Sequence, residues 1–123
     1  MADGDSVGKW PSPITFDDDD PKKGFAYVTL KMKELKADNP LFGKAKVKNG
    51  SVDVKFETGS IAMETTLTDG SETYHYVYKK SLPVDIDPEK SEFKVKNGRV
   101  VLILCKAKDV TWAAHADHFI KKT

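Results

Sequence analysis

Apolar and polar side chains alternate with a period of two residues along most of the chain. The stretch FAYVTLKMK shows the pattern most fully, with one side formed by Ala26, Val28, Leu30 and Met32. Similar alternation recurs at 45–56, 61–67 and 93–95. This period indicates half-buried β-strands, and no long amphipathic helix competes with it. The chain is therefore predicted to be all-β.

Glycine preceded by asparagine or aspartate marks three candidate turns, at Asn49-Gly50, Asp69-Gly70 and Asn97-Gly98. Such dipeptides favour two-residue hairpin turns, because they tolerate the positive φ angles that these turns require. The first and last are each flanked by alternating strands and predict hairpins. About seven short strands with turn signals between them predict a seven-stranded antiparallel β-sandwich.

One stretch, Val100–Cys105, is apolar without alternation. Alternate side chains of a strand face opposite sides, so two apolar sets result: Val100, Leu102 and Leu104, and Val101, Ile103 and Cys105. One set belongs in the sandwich core, and the other must be covered by the leader, the chain end or a partner. Trp112 follows closely and is suited to close one end of the core.

The ends of the chain differ from its middle. Residues 1–22 contain three prolines and the acidic run Asp17–Asp20, and they predict an irregular acidic leader in which a short strand at Ile14–Phe16 is compatible with the pattern. Residues 23–115 are assigned to the sandwich and 116–123 to a short C-terminal tail. The stretch TWAAHADHFIKK, from Thr111, is compatible with one short helix.

Composition bears on partners and location. Arg99 is the only arginine among 20 basic residues and the net charge is +1, which disfavours nucleic acid as a partner. No stretch has the length and apolarity of a membrane span, so no membrane partner is expected. Cys105 is the only cysteine, which excludes an internal disulfide. These features favour a protein of the cytoplasm or the nucleus.

No catalytic or cofactor-binding signature occurs in the sequence, so neither enzymatic activity nor a cofactor is expected. The run Asp17–Asp20 is read as a solvated loop, since a Ca²⁺ site needs oxygens from several loops. His115 and His118 are too few for a closed zinc site. Cys105 lies in the most apolar stretch and is interpreted as an inert core thiol, although a pairing with His75 is the reactive alternative.

Three ordered segments carry a resemblance to a known family: VDVKFETGSIAMET from Val52, LPVDIDPEKSEFKVKNGRV from Leu82, and VLILC from Val101 followed by basic residues and Trp112. Together they resemble the CS domain of calcyclin-binding protein, the prostaglandin-E-synthase-like cochaperones, the NudC family and the CHORD-containing proteins. The resemblance spans roughly residues 24–115. It implies a seven-stranded sandwich related to the α-crystallin domain.

The resemblance also implies a function, because most members of the CS group are binding modules and not enzymes. We expect a cochaperone-like module, a monomer that docks on a heat-shock protein 90 family chaperone or its clients. The alternatives are a holdase resembling the small heat-shock proteins, or a scaffold domain of a larger multidomain protein. A Ca²⁺-binding or membrane-binding sandwich is a further rival.

Lysines on the exposed strand faces are read as a guard against edge-to-edge aggregation, or as a basic face for an acidic partner. Tyrosines, including Tyr74, Tyr76 and Tyr78, could interleave with such a face and add contact area. By analogy with the CS domain, the residues predicted on or near the partner-binding surface are Tyr27, Lys31, Lys106, Lys108 and Trp112.

Overall fold

Antiparallel pairing, short turns and alternating side chains produce two stacked sheets. A computed structural model describes residues 9–11, 13–18, 24–38, 45–108 and 112–120. In these residues the strands are β1 (Ile14–Asp18), β2 (Phe25–Lys31), β3 (Gly50–Glu57), β4 (Ser60–Asp69), β5 (Glu72–Ser81), β6 (Glu92–Lys96) and β7 (Arg99–Cys105). The predicted all-β, seven-stranded antiparallel sandwich is confirmed.

The first sheet has four strands in the order β1-β2-β7-β6. Every pairing in it is antiparallel. The most apolar strand, β7, occupies an inner position between β2 and β6. Val100, Leu102 and Leu104 are fully buried against the second sheet, whereas Val101 and Cys105 on the opposite face are half-buried. Of the two apolar sets, the first therefore belongs to the core.

The second sheet has three strands in the order β3-β4-β5. Its inner face supplies Ile61, Met63 and Leu67 from β4 and Tyr76 and Tyr78 from β5, all of them buried. The turn containing Gly70 joins β4 to β5, and the turn containing Gly98 joins β6 to β7. Both glycines have positive φ angles, of 65° and 78°, as the turn dipeptides predict.

The hairpin predicted at Asn49-Gly50 is wrong. Val47, before the dipeptide, bridges to Ala37, whereas Gly50 already belongs to β3 and pairs with Leu67 of β4. The Asn49 side chain accepts a hydrogen bond from the Lys36 amide at 3.0 Å and donates to the Glu34 and Thr68 carbonyls at 2.8 and 2.9 Å. The asparagine thus joins three segments instead of forming a tight turn.

Aromatic residues from three parts of the chain close the sandwich on one side. A 3₁₀ turn (Ala113–His115) and the five-residue helix α1 (Ala116–Ile120) place Phe119 between Phe16 and Trp112, at ring-centroid distances of 4.9 and 5.5 Å. The Tyr78 hydroxyl donates a 2.7 Å hydrogen bond to the Phe119 carbonyl. Trp112 is 0% exposed, which confirms it as a core-closing residue.

A segment before β1 adds to the free edge of β5. Lys9 forms a parallel bridge with Tyr76, through hydrogen bonds to the His75 carbonyl at 2.6 Å and from the Val77 amide at 2.9 Å. The next residue, Trp10, packs on Tyr78 with ring centroids 4.9 Å apart. One edge of the three-stranded sheet is therefore covered within the chain.

Both ends of the chain contribute ordered elements. Residues 1–22, predicted as an irregular leader, include β1, which contains the short strand considered at Ile14–Phe16. Residues 116–123, predicted as a tail, include α1 and the buried Phe119. The limits of 1–22, 23–115 and 116–123 as domain boundaries stay a prediction.

Among the residues that the structure describes, no helix combines the length and the apolarity needed to cross a bilayer.

Candidate protein-interaction surface

The outward side of the four-stranded sheet presents one continuous set of side chains, called here the outer face. Strand alternation and the pairing register place 13 residues on it. They are Thr15, Asp17, Phe25, Tyr27, Thr29, Lys31, Glu92, Lys94, Lys96, Arg99, Val101, Ile103 and Cys105.

The centre of the outer face is apolar. Tyr27 lies directly opposite Ile103, and Phe25 lies opposite Cys105. Ile103, on the central strand β7, is only 9% exposed, whereas Phe25, Tyr27, Val101 and Cys105 are half-buried. A half-buried aromatic and aliphatic centre is the composition typical of the core of a protein interface.

Charged side chains border this apolar centre. The exposed Asp17 and Glu92 lie in register with Tyr27 and Ile103, one on each outer strand of the sheet. The exposed Lys94 lies opposite Val101. An apolar centre with a charged rim matches the anatomy of protein–protein interfaces, where the rim gives specificity more than affinity.

One end of the outer face is strongly basic. Lys31 pairs with Arg99, and Arg99 pairs with Lys96 on its other side, so three cations stand in one row across three strands. Like charges directly opposite each other in a sheet are destabilising. The row therefore favours an anionic group close by.

The predicted site residues do not all share one surface. Tyr27 and Lys31 lie on the outer face, half-buried and exposed respectively. Lys106 is 7% exposed, and its Nζ lies 5.9 Å from the ring centroid of the buried Trp112. Lys108 is exposed beyond β7. Tyr27 and Lys31 thus share the outer face, whereas Lys106 packs with Trp112 in the interior. The role of all five residues in partner binding stays a prediction.

The tyrosines do not interleave with the lysines as the sequence suggested. Tyr74, Tyr76 and Tyr78 lie on β5 in the other sheet, and the latter two are buried. Tyr76 and Tyr78 lie in the core because the side chains at these even-numbered positions of β5 face the other sheet. Of the four tyrosines, only Tyr27 lies on the outer face, where its cross-strand neighbours are Asp17 and Ile103.

Sequence reasoning missed several members of the outer face. Phe25 and Arg99 were not predicted as members of a binding surface, although each begins a strand. Phe25 lies two residues before Tyr27, and Arg99 lies two residues before Val101. The signal was present in part, because Val101, Ile103 and Cys105 were identified as one of two sets that could need covering by a partner. The pairing of β7 with both β2 and β6 is what assembles them into one surface.

The other candidate sites do not come together. His75 contacts Thr66 on the three-stranded sheet, whereas Cys105 belongs to the four-stranded sheet. Cys105 is half-buried on the outer face, so the prediction of a core thiol is wrong. It faces outward because it alternates along β7 with the inward-facing Leu104. The His118 ring nitrogen Nε2 contacts the Ser81 carbonyl.

Within the described ranges, no group of three or more histidine, cysteine or acidic side chains is arranged to hold a metal ion. Asp19 and Asp20, half of the acidic run, lie outside the described residues.

Buried polar side chains on the inner side of β5 have partners within the chain. The Tyr76 hydroxyl donates a hydrogen bond to the Glu34 carboxylate, which is itself 5% exposed. Burial, reinforced by this bond, raises the pKa of Tyr76, and burial alone raises the pKa of Tyr78. Burial also lowers the pKa of Lys80, whose Nζ lies 5.2 Å from the Trp10 ring centroid. These groups stabilise the interior of the sandwich, and none of them belongs to the outer face.

Comparison with known proteins gives a structural relative. No family model matches the sequence, and no curated protein matches it. Among solved structures, the fold is similar to heat shock protein 16.0 from Schizosaccharomyces pombe, with a TM-score of 0.57 and 15% sequence identity. The match covers 83% of this chain and 91% of that one. The chain therefore has an α-crystallin-like β-sandwich fold.

Proposed function

We propose that this protein is a non-enzymatic, cochaperone-like interaction module that docks on a heat-shock protein 90 family chaperone or on its clients. The observation that carries the proposal is the outer face, with its half-buried apolar centre around Tyr27 and Val101 and its charged rim. The surface is preformed, because its residues lie on paired strands of a sheet and not on loops.

The sequence resemblance to the CS domain supports the finer part of the proposal. The α-crystallin-like fold is compatible with that resemblance, since the two kinds of domain are expected to share the seven-stranded sandwich. Docking would proceed by burial of Phe25, Tyr27 and Val101 against a partner, with Lys94 and Glu92 at the rim. We propose a monomer that acts in the cytoplasm or nucleus.

Isothermal titration of the full chain with a full-length heat-shock protein 90 chaperone tests this function. The titration is run with and without a non-hydrolysable ATP analogue. Binding with a micromolar Kd is the expected result, since a module this small offers a modest interface. Binding only with the analogue would identify a closed-state cochaperone. Absence of binding in both states, together with absence of binding to an unfolded client, would refute the proposal.

A holdase is the second candidate, and the structural likeness to heat shock protein 16.0 is what favours it. A holdase would suppress the aggregation of a heat-denatured model enzyme without any chaperone or nucleotide. Light scattering measures the aggregation directly, with this protein and the model enzyme at equal molar concentrations. Suppression by wild-type protein and its loss in Val101→Glu, with the fold of the variant checked by circular dichroism, would support client binding on the same face.

A further inference from the structure

A cleft of about 650 Å³ opens at one end of the sandwich, beside the basic end of the outer face. Its walls come from four parts of the chain: the segment before β1, the residues after β2, the middle of β5 and the turn between β6 and β7. The volume lies within the range of ligand-binding pockets. The cleft is distinct from the apolar centre that carries the proposed function.

Backbone hydrogen bonds hold these walls together. The Met32 amide donates to the Gly98 carbonyl at 2.9 Å, and the Gly98 amide donates to the Leu35 carbonyl at 2.9 Å. On the other side, the Lys31 amide donates to Pro13 at 3.3 Å, and Lys9 is bonded to β5. The cleft is therefore part of the fold and does not depend on a single loop.

The lining of the cleft is basic. Lys9, Lys31, Lys33 and Arg99 contribute four cationic groups, against one carboxylate, Glu34. That carboxylate accepts the hydrogen bond of the Tyr76 hydroxyl at the buried side of the cleft, so it is already engaged. The wall thus carries an excess of positive charge that a ligand with several negative groups would neutralise.

The sheet register adds an independent reason for an anionic ligand. Lys31 and Arg99 stand directly opposite each other, and Lys96 continues the row. Such a row of like charges opposes folding of the sheet. Two of its three members line the cleft, so a bound polyanion would offset repulsion that the free protein retains.

We propose that this cleft binds an acidic peptide segment of a partner protein, through side-chain carboxylates that contact Lys31, Lys33 and Arg99. Three of the four cations are lysines, which act as point charges and suit separate carboxylates along an extended peptide. A nucleic acid fits less well, because a chain with a single arginine and a net charge of +1 lacks a longer basic track.

The acidic residues of β1 are not placed to fill the cleft from within the same chain. β1 starts beside the cleft, where Ile14 pairs with Leu30, and runs away from it to Asp18, which pairs with Ala26. Four residues of strand place Asp18 about 13 Å further along the sheet. β1 therefore does not supply the occupant, and the charge of the lining favours an acidic segment of another molecule.

Fluorescence anisotropy of a labelled peptide of alternating aspartate and glutamate tests the proposal. A matched peptide of asparagine and glutamine is the uncharged control. The expected result is saturable binding of the acidic peptide at about 20 mM salt, weakened at about 200 mM, and no binding of the control peptide. Lys33→Glu should weaken binding roughly fivefold, since it reverses one exposed charge of the cleft.

A second variant makes the result specific to the cleft. Lys55→Glu changes the net charge equally but lies exposed on β3, in the other sheet, and should change the affinity less than about twofold. Tyr27→Ala should leave peptide binding unchanged while it weakens chaperone docking, so failure of one proposal is distinguishable from failure of the other.

Four results would overturn the acidic-peptide site. They are equal losses in Lys33→Glu and Lys55→Glu, equal binding of the uncharged peptide, and displacement of the peptide by a single-stranded oligonucleotide at lower concentration than by unlabelled peptide. The fourth is a concentration-dependent dimer of the wild-type protein that Lys33→Glu abolishes, which would show that a second copy occupies the cleft.

Discussion

The rings of Trp112 and Phe119 stack nearly parallel, 5.5 Å apart with an interplanar angle of 9°. Both are fully buried, although they belong to the short segment after the last strand. This stack seals the side of the sandwich where β1 and β5 face each other, because Phe119 also contacts Phe16 and Tyr78.

Truncation of the Phe119 side chain should therefore destabilise the folded protein. We expect Phe119→Ala to lower the free energy of unfolding by about 3–5 kcal/mol, as for other large aromatic residues removed from a core. Urea denaturation followed by circular dichroism measures this. Ile120→Ala is the matched control, since Ile120 is 37% exposed and should change stability by less than about 0.5 kcal/mol. Similar values for the two variants would contradict the packing role of the segment.

Gly50 should resist any substitution. A Cβ at this position would lie 1.9 Å from the Thr66 carbonyl oxygen, because the backbones of β3 and β4 approach closely there. Gly50→Ala should cost about 2–3 kcal/mol of stability. Gly59→Ala is the control, since a Cβ there meets nothing within 4 Å. Thermal or urea unfolding of both variants tests the difference, and a neutral Gly50→Ala would show that the strands can separate without cost.

Charge reversal on the outer face should weaken partner binding. Lys94→Glu places a carboxylate beside Val101 at the rim of the apolar centre, and we expect a roughly fivefold rise in Kd for the chaperone. Lys55→Glu carries the same change on the other sheet and should have little effect. Titration calorimetry of both variants provides the comparison. Equal effects would indicate attraction by net charge alone.

Alkaline pH should destabilise the fold through its buried tyrosines. Burial raises the pKa of Tyr76 and Tyr78 above the ordinary 10.0, so their contribution is complete below about pH 10. Above that pH the unfolded chain loses these protons first, and stability falls until the folded pKa is passed. Lys80, whose pKa burial lowers, acts with the opposite sign.

Replacement of one of these tyrosines isolates the effect. Tyr78→Phe should lower stability at neutral pH, because the bond to the Phe119 carbonyl is lost, and should make the fall in stability above pH 10 less steep. Urea midpoints measured from pH 8 to pH 11 give the slope. An unchanged slope would place the alkaline transition in other groups.

The sequence predicted the fold well wherever strand alternation was regular. The alternation of β2 identified its buried face, and Asn97-Gly98 identified its hairpin. The apolar run of β7 gave two sets, and the structure shows that Val100, Leu102 and Leu104 form the buried one. Asn49-Gly50 failed because its local turn preference was overridden by tertiary bonds from Asn49 to Lys36, Glu34 and Thr68. A single sequence carries no signal for such distant partners.

The candidate surface was predicted only in part, since a surface depends on strand order. Tyr27 and Lys31 were found, but the juxtaposition of Phe25 with Cys105 and of Lys31 with Arg99 follows from the pairing of β2 with β7. Periodicity predicts which side chains of a strand face the core, but it does not predict which strand pairs with it. For the same reason the basic cleft could not be predicted, because its lining comes from four separated segments of the chain.

Chemical-shift mapping of the ¹⁵N-labelled chain with a full-length heat-shock protein 90 chaperone tests the outer face most directly. We predict that the perturbed amides belong to β2, β6 and β7, including those of Tyr27, Lys94 and Val101. Perturbations confined to the three-stranded sheet, around Val54, Lys55 and Glu64, or no perturbation at all, would contradict the assignment of the outer face as the docking surface.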